Sequence, residues 1–338
     1  MAVKSVYADC AASCPPLPCA RTAFEKTTCG NPNSVHHMGR NSRALLEEAR
    51  SVIARCINAK PDQVAFTPSA TAACRTALGH LNITECSPYE HKAVSECIKW
   101  NILFAGEHLY YSTAHMLANN ETGERYDTVV RDLANDNVVF CDATAAVGQI
   151  PVDVQWLGVR ALAAGAHKFG GFPGIGFLYR KNGITDEVTF PGTPPVALAV
   201  AMASALEYRC LHMADANTYL MEQTERLAKS IMDIPGASIN TPFYKERLPN
   251  ILSVCFDGVN ARELLTMLDV NGVYASAGSA CTADSDEPSR VLLASGLTEE
   301  QALSTIRLSF CPETTPEQFI FTADALRRCA AQLRGLSK

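Results

Sequence analysis

The chain has 338 residues, 47% of them hydrophobic, and a formal net charge of −6. That size supports one large domain and a smaller one, with a sizeable core. The acidic balance, with no long basic run, speaks against a nucleic-acid binder or a protein that lies on anionic lipid. No apolar stretch reads as a membrane span. Residues Met1-Ala2-Val3-Lys4-Ser5 lack the apolar core of a signal peptide, so a soluble, cytoplasmic protein is expected. In that setting the 14 cysteines read as reduced thiols rather than a disulfide framework. Cys10, Cys14, Cys19 and Cys29 crowd the start, but their spacing matches no paired C-x-x-C metal pattern.

Taken in order, residues 7–14 read as a short strand running into a loop, and Pro15, Pro16 and Pro18 are expected to break regular structure. Residues 40–59 carry Leu45, Val52, Ile53 and Ile57 at helical spacing. Val64-Ala65-Phe66 reads as a strand, Ser69-Ala70-Thr71 as a turn, and a helix follows toward Leu81. A helix start after a strand presents unpaired N–H groups, a natural seat for phosphate; a plain N-cap by Ser69 or Thr71 explains the same residues. A strand is expected near residues 82–84 and a helix opening at His91. Strands follow at 138–141, ending on Asp142, at 159–164, leading to His167-Lys168, and at 175–179. Short apolar strands alternate with helices, and polar residues gather past the strands' C-terminal ends, as in an α/β fold with its site at the carboxyl edge of the sheet.

After Thr193 the composition changes. Residues 196–208 read as an alanine-rich helix and 214–232 as a further helix that carries the chain to a second domain. Strands at 250–256 and 272–276 around a helix at 261–268 suggest a smaller α+β unit. Residues 277–289 are small and polar, with one thiol, Cys281, and read as a loop.

Lys168 stands between two apolar strands beside a glycine-rich turn, Phe169-Gly170-Gly171. A desolvated lysine can condense with an aldehyde such as pyridoxal phosphate; a solvated surface lysine is the plain alternative. Asp142 at a strand end suits a pyridinium partner, or simply caps the strand. With the phosphate seat at Ala70-Thr71 and the loop thiol of Cys281, four features converge on one chemistry.

The strings GNPNSVHHMGR (30–40), YEHKAV (89–94), ANNETG (118–123), DATAAVGQIPVDV (142–154), AHKFGGFPGIGFLY (166–179), SAGSACTADSDEPSRVL (276–292) and IRLS (306–309) lie in one order along almost the whole chain. Together they resemble the cysteine desulfurases of the NifS/IscS type, within the class V, fold type I pyridoxal-phosphate enzymes. The resemblance implies an α/β large domain with a mostly parallel central sheet over residues 15–212. It implies a smaller α+β domain from residues 1–14 and 213–338 that carries the cysteine loop, 276–289. It also implies a homodimer, L-cysteine as substrate and a sulfur-acceptor protein, with no metal.

By the same resemblance, Lys168 holds the cofactor and shuttles protons, Asp142 keeps the ring nitrogen protonated, and His91 stacks on the ring. Ala70, Thr71 and His167 help bind phosphate, and Thr193 reaches the second subunit's cofactor. Asn120 lies at the cofactor and, with Arg307, grips the substrate carboxylate. Cys281 accepts sulfur as a persulfide, leaving alanine. The chain departs from the family pattern at Ala145, where a glutamine is usual, and at Gly165, where a phosphate-binding serine is usual. Those losses imply weaker cofactor binding and a possible shift of substrate. Selenocysteine lyase, cystine lyase, an aminotransferase, or a non-catalytic scaffold for sulfur-transfer partners are the alternatives.

Overall fold

The computed structural model describes residues 3–28, 30–102, 112–184, 189–190, 192–278 and 287–336. Cys29 and Cys281 lie outside the described residues. The chain divides into two compact units, one of residues 14–118 and 126–213, the other of residues 1–13, 119–125 and 214–338.

The first unit is built on a six-stranded sheet. Its spatial order is Val64–Thr67, Gly176–Arg180, Ala161–Gly165, Val138–Asp142, Ser112–Ala114 and Glu85–Cys86. The last four strands are mutually parallel, and Gly176–Arg180 runs antiparallel to both its neighbours. Val138–Asp142 (VVFCD) and Ala161–Gly165 (ALAAG) are buried almost throughout, as expected of parallel strands covered on both faces. The helix Ala70–Leu81 packs on this sheet through Ala73, Cys74, Ala77 and Leu78, which share a core with Phe140, Ala161, Ala163 and Leu178. Ser69 caps that helix, its hydroxyl accepting from Ala72 N–H at 3.1 Å, and Asn82 ends it in the left-handed conformation (φ 49°).

This topology sends many strand ends to one edge. Cys86, Ala114, Asp142 and Gly165 end parallel strands there, Gly176 opens the antiparallel strand opposite Gly165, and Thr67 is paired with Gly176. The segments that follow carry Glu90, His91, Lys168 and the Ser69–Thr71 turn.

The second unit holds an antiparallel sheet ordered Ser276–Ala277, Thr305–Ser309, Ile251–Phe256 and Ala237–Ile239. A separate parallel pair joins Val6–Tyr7 to Val273–Tyr274. The helices Ala261–Val270 and Pro316–Leu336 cover a core that includes Leu252, Val254, Phe256, Leu264, Ile306, Leu308 and Leu326.

Several expectations need correction. Pro18 does not break structure but opens the helix Pro18–Lys26 at its first position, where the missing N–H costs nothing. The strand near residues 82–84 is Glu85–Cys86, displaced because Asn82 still caps the preceding helix. The two helices expected at 196–208 and 214–232 are one, Val196–Met232, since no glycine or proline interrupts residues 209–213. That helix is long and apolar enough to pass a length-and-composition test for a membrane span. Its apolar residues Ala199, Met202, Ala205 and Leu206 are nevertheless buried within the first unit. Residues 119–125, expected in the larger domain, cluster with the C-terminal unit. There the Leu248 N–H donates to the Gly123 carbonyl at 2.7 Å, Arg125 N–H to Glu246 at 3.1 Å, and the Thr241 hydroxyl to the Thr122 carbonyl at 2.8 Å.

Gly176 marks the closest approach of strand and helix start. A Cβ there would lie 2.6 Å from the Ala164 carbonyl oxygen and 3.0 Å from the Ala70 nitrogen, whereas one on Gly79 meets nothing within 4 Å. Gly176→Ala is therefore expected to destabilise the protein by about 1–3 kcal/mol. Gly79→Ala, in a helix interior, should stabilise it by about 0.5–1 kcal/mol. Urea unfolding of the two variants checks this; equal shifts would contradict the packing described.

Candidate active site

The centre of the first unit's edge is the turn Ala166–Lys168. Three successive carbonyls of this turn are held by distant groups. The Cys14 N–H donates to His167 O at 2.7 Å, the Gln149 side-chain amide makes a longer 3.5 Å contact to Lys168 O, and Arg209 Nε donates to Phe169 O at 3.3 Å. Arg209 is itself buried, and its Nη2 also reaches the Cys14 sulfur at 3.6 Å. The turn is closed from within by Gly171 N–H on Ala166 O at 2.9 Å, with Gly170 at φ 89°, a conformation glycine adopts without strain. Lys168 thus sits on a backbone with little freedom.

Asp142, His91 and Lys168 share one electrostatic environment. Asp142 is buried, and its Oδ1 accepts from Thr144 N–H at 2.9 Å. His91 precedes the helix Lys92–Ile102, its Nδ1 accepting from Ala93 N–H at 3.1 Å, which leaves the proton of a neutral ring on Nε2. Burial lowers the His91 pKa and the Lys168 charge lowers it further, against the pull of Asp142. His167 is pushed down to about 4, by burial first and Lys168 second. Both rings are therefore neutral near pH 7.

Beside them lies Glu90, which the sequence reading left without a role. It is 2% exposed. Its Oε1 accepts from Met116 N–H at 2.6 Å and from the Ser87 hydroxyl at 2.9 Å, while Oε2 has no hydrogen-bond partner among the described residues. Burial, then the nearby Asp142 charge, pushes its pKa up to about 8. The Thr144 hydroxyl is likewise buried without a hydrogen-bond partner.

Ala70 and Thr71 occupy the first turn of the helix Ala70–Leu81. The position where a serine was expected is crowded: a Cβ on Gly165 would lie 3.2 Å from Ala70 Cβ and 3.3 Å from His167 Cε1, so these neighbours would have to give by a few tenths of an ångström. Thr193 does not join this group. It is exposed and lines a cavity of about 520 Å³ with Phe24, Gly30 and Asn31, none of them from the Lys168 turn.

In the second unit, Arg307 is 1% exposed in the strand Thr305–Ser309. Its Nη2 pairs with Asp9 Oδ1 at 2.7 Å and its Nη1 donates to the Asn120 carbonyl at 2.9 Å, while Nε has no hydrogen-bond partner among the described residues. The neighbouring Glu121 accepts from the Ser289 hydroxyl at 2.6 Å, and burial raises its pKa. Arg307 and Asn120 are thus brought together, though through the asparagine's backbone rather than its side chain.

The aminotransferase class-V family model matches residues 6–97, 111–191 and 186–319. The chain belongs to the class-V aminotransferase family. It is 32% identical to "Cysteine desulfurase IscS" of Dictyoglomus turgidum, over 99% of this chain and 96% of that protein. It is 31% identical to the "IscS-like cysteine desulfurase" of Mycobacterium tuberculosis, over 90% of each chain. A solved "NifS-like protein" superposes with a TM-score of 0.87 at 25% identity, covering 97% of this chain and 100% of that one. The α/β architecture with a mostly parallel central sheet is that of these class-V, fold type I proteins.

Glu90 gives this site a pH signature. A carboxyl whose folded pKa is raised contributes stability that is present below its unfolded value and lost as pH rises through the folded one. The window runs from the ordinary 4.5 to about 8. The depressed His167 acts oppositely and only below its ordinary 6.5. Between pH 6.5 and 8, cofactor-free protein should therefore lose up to about 1.4 kcal/mol per pH unit through Glu90. Glu90→Gln should flatten that slope in urea titrations at several pH values; an unchanged slope would show that Glu90 ionises normally.

Proposed function

We propose that this protein is a pyridoxal-phosphate-dependent cysteine desulfurase. It removes sulfur from L-cysteine, releases L-alanine and carries the sulfur as a persulfide on Cys281 to an acceptor protein. The observation that carries this reading is the Lys168 turn, fixed through its carbonyls and sharing one electrostatic environment with Asp142 and His91.

The residues present fit the cofactor. Lysine, a buried carboxylate and a neutral imidazole are the donor set for an aldehyde, a pyridinium and an aromatic ring. Two buried atoms beside them, Glu90 Oε2 and Thr144 Oγ1, have no hydrogen-bond partner among the described residues, as expected where a polar group is to be accommodated. When bound, pyridoxal phosphate supplies an aldehyde for covalent capture and a ring that takes up the electrons of a broken substrate bond.

The protein's own groups do the rest. Lys168 Nζ is the amine that would hold the aldehyde, and when free it would take the proton from the substrate Cα and return one to that carbon. Asp142 would face the ring nitrogen and favour its protonated form. His91, neutral by burial and with its proton on Nε2, would stack on the ring. Ala70 and Thr71, with the free N–H groups and positive end of their helix, and His167 hold the phosphate. Arg307 and Asn120 bind the substrate carboxylate; Arg307 Nε, which has no acceptor among the described residues, supports this, because a buried guanidinium N–H calls for an anionic acceptor. The Cys281 thiolate attacks the substrate sulfur, the carbon–sulfur bond breaks, and Cβ takes up a proton to become the methyl group of alanine.

We assign the functional form to a homodimer, with Thr193 completing the phosphate site of the partner subunit. Its exposure, away from the Lys168 turn of its own unit, supports this.

Protein supplied with pyridoxal phosphate should show an absorbance band near the visible edge, lost in Lys168→Ala. With L-cysteine and a thiol reductant it should form alanine and sulfide in equal amounts. Cys281→Ala should keep the band and lose roughly a hundredfold or more in rate. A Cys281→Ala variant that releases sulfur at the normal rate would overturn the persulfide role, and a colourless wild type would overturn the cofactor assignment.

A further inference from the structure

The carboxyl group of Glu121 has no part in the steps assigned above, yet it stands where the two ends of one segment meet. Glu121 is 5% exposed. Its backbone is pinned by Asn119, whose Oδ1 accepts from the Glu121 N–H at 2.8 Å and from the Thr122 N–H at 2.9 Å. Its Oε2 accepts from the Ser289 hydroxyl at 2.6 Å. The same oxygen lies against Gly278: a Cβ there would come within 2.8 Å of Glu121 Oε2 and 3.4 Å of Leu292 Cδ1. Gly278 and Ser289 flank the stretch that carries Cys281.

Both flanks are anchored in the second unit, to which Glu121 also belongs. Gly278 follows the strand Ser276–Ala277, which pairs with Thr305–Ser309 so that Ser276 stands opposite Arg307. The Gly278 carbonyl meets Arg307 Nη1 at 3.4 Å, and that nitrogen also donates to the carbonyl of Asn120, the residue before Glu121. Ser289 caps the helix Arg290–Ala294, its hydroxyl accepting from Leu292 N–H at 3.3 Å while it donates to Glu121. One carboxyl oxygen thus joins the strand before Cys281 to the helix after it. Burying a carboxyl group is costly, and a single hydrogen bond from a serine is a small return in stability. What the arrangement does supply is fixed geometry at the base of a reactive segment.

We propose that Glu121 is a positioning residue for sulfur transfer: its tie between Gly278 and Ser289 sets the reach of the Cys281 thiol toward the substrate sulfur. The proposal rests on the desulfurase reading above, with Cys281 as the acceptor. Glu121 acts through the two flanks rather than on the substrate. Its loss therefore makes the meeting of thiol and substrate rarer, and leaves proton transfer at the substrate Cα, assigned to Lys168, as it was.

The test compares two reactions of the full chain loaded with pyridoxal phosphate. Alanine formation from L-cysteine needs the thiol. Exchange of the Cα proton of L-alanine for deuterium, followed by NMR, needs Lys168 and the carboxylate site but no thiol. Glu121→Ala should lower kcat for alanine formation about tenfold or more, keep KM for L-cysteine within about twofold, and leave the deuterium exchange unchanged. Glu121→Gln keeps an oxygen for the Ser289 hydroxyl and should recover most of the rate. Ser289→Ala removes the tie from its other end; it should reproduce the loss, and it decides the matter if Glu121→Ala does not fold. Added to Cys281→Ala, Glu121→Ala should have no further effect. Normal alanine formation in Glu121→Ala and Ser289→Ala would overturn the proposal. So would an equal loss of deuterium exchange, which would make Glu121 a support of the whole site. Full activity of Cys281→Ala alone would instead overturn the persulfide reading beneath it.

Discussion

Everything assigned to Lys168 depends on the turn beneath it. A lysine side chain has four rotatable carbons and no geometry of its own, so its direction is set by the backbone. Here the carbonyls of His167, Lys168 and Phe169 are each occupied from outside the turn, by Cys14, Gln149 and Arg209. These anchors come from the start of the unit, from the segment after Asp142, and from the long helix Val196–Met232. A buried arginine that spends Nε on one carbonyl would be costly without that role, since its charge has left water. The rigidity lets a flexible amine act as a fixed reagent.

The charges around Lys168 follow from burial. Asp142 keeps one hydrogen bond from Thr144 and exerts its field on Glu90, His91, Cys74 and Cys141. Two carboxyl groups in one low-dielectric region do not both ionise readily, and Glu90 takes the proton. Both imidazoles beside it are held neutral by burial. The chemistry assigned to this family needs one strong anion at the ring nitrogen and a mobile proton on the lysine. Under the proposed function, Asp142 is the carboxylate that this edge offers to the ring nitrogen.

Much of this was legible in the sequence. The apolar runs ending at Asp142 and His167-Lys168 are strands whose ends meet at one edge, and the Ser69 turn opens a helix there. These were readable because parallel strands are nearly continuous apolar runs and because caps and glycine turns have fixed chemistry. Proline misled the reading at residue 18, since the same ring that breaks a helix interior is favoured at its first position. Alternation and spacing could not reveal Glu90, Thr144, Cys14 or Arg209, because their roles arise from contacts distant in sequence. Arg209 left one signal: a lone cation on the mostly apolar half of a helix. The missing serine at Gly165 looked like a lost hydroxyl; in the folded protein Ala70 and His167 crowd that position.

Borohydride reduction of the protein loaded with pyridoxal phosphate, followed by peptide mapping, tests the central assignment most directly. The reduction fixes the cofactor on whichever amine holds it. The account predicts the label on Lys168 alone, within the peptide that contains His167 and Phe169. A label on another lysine, or none, would contradict it.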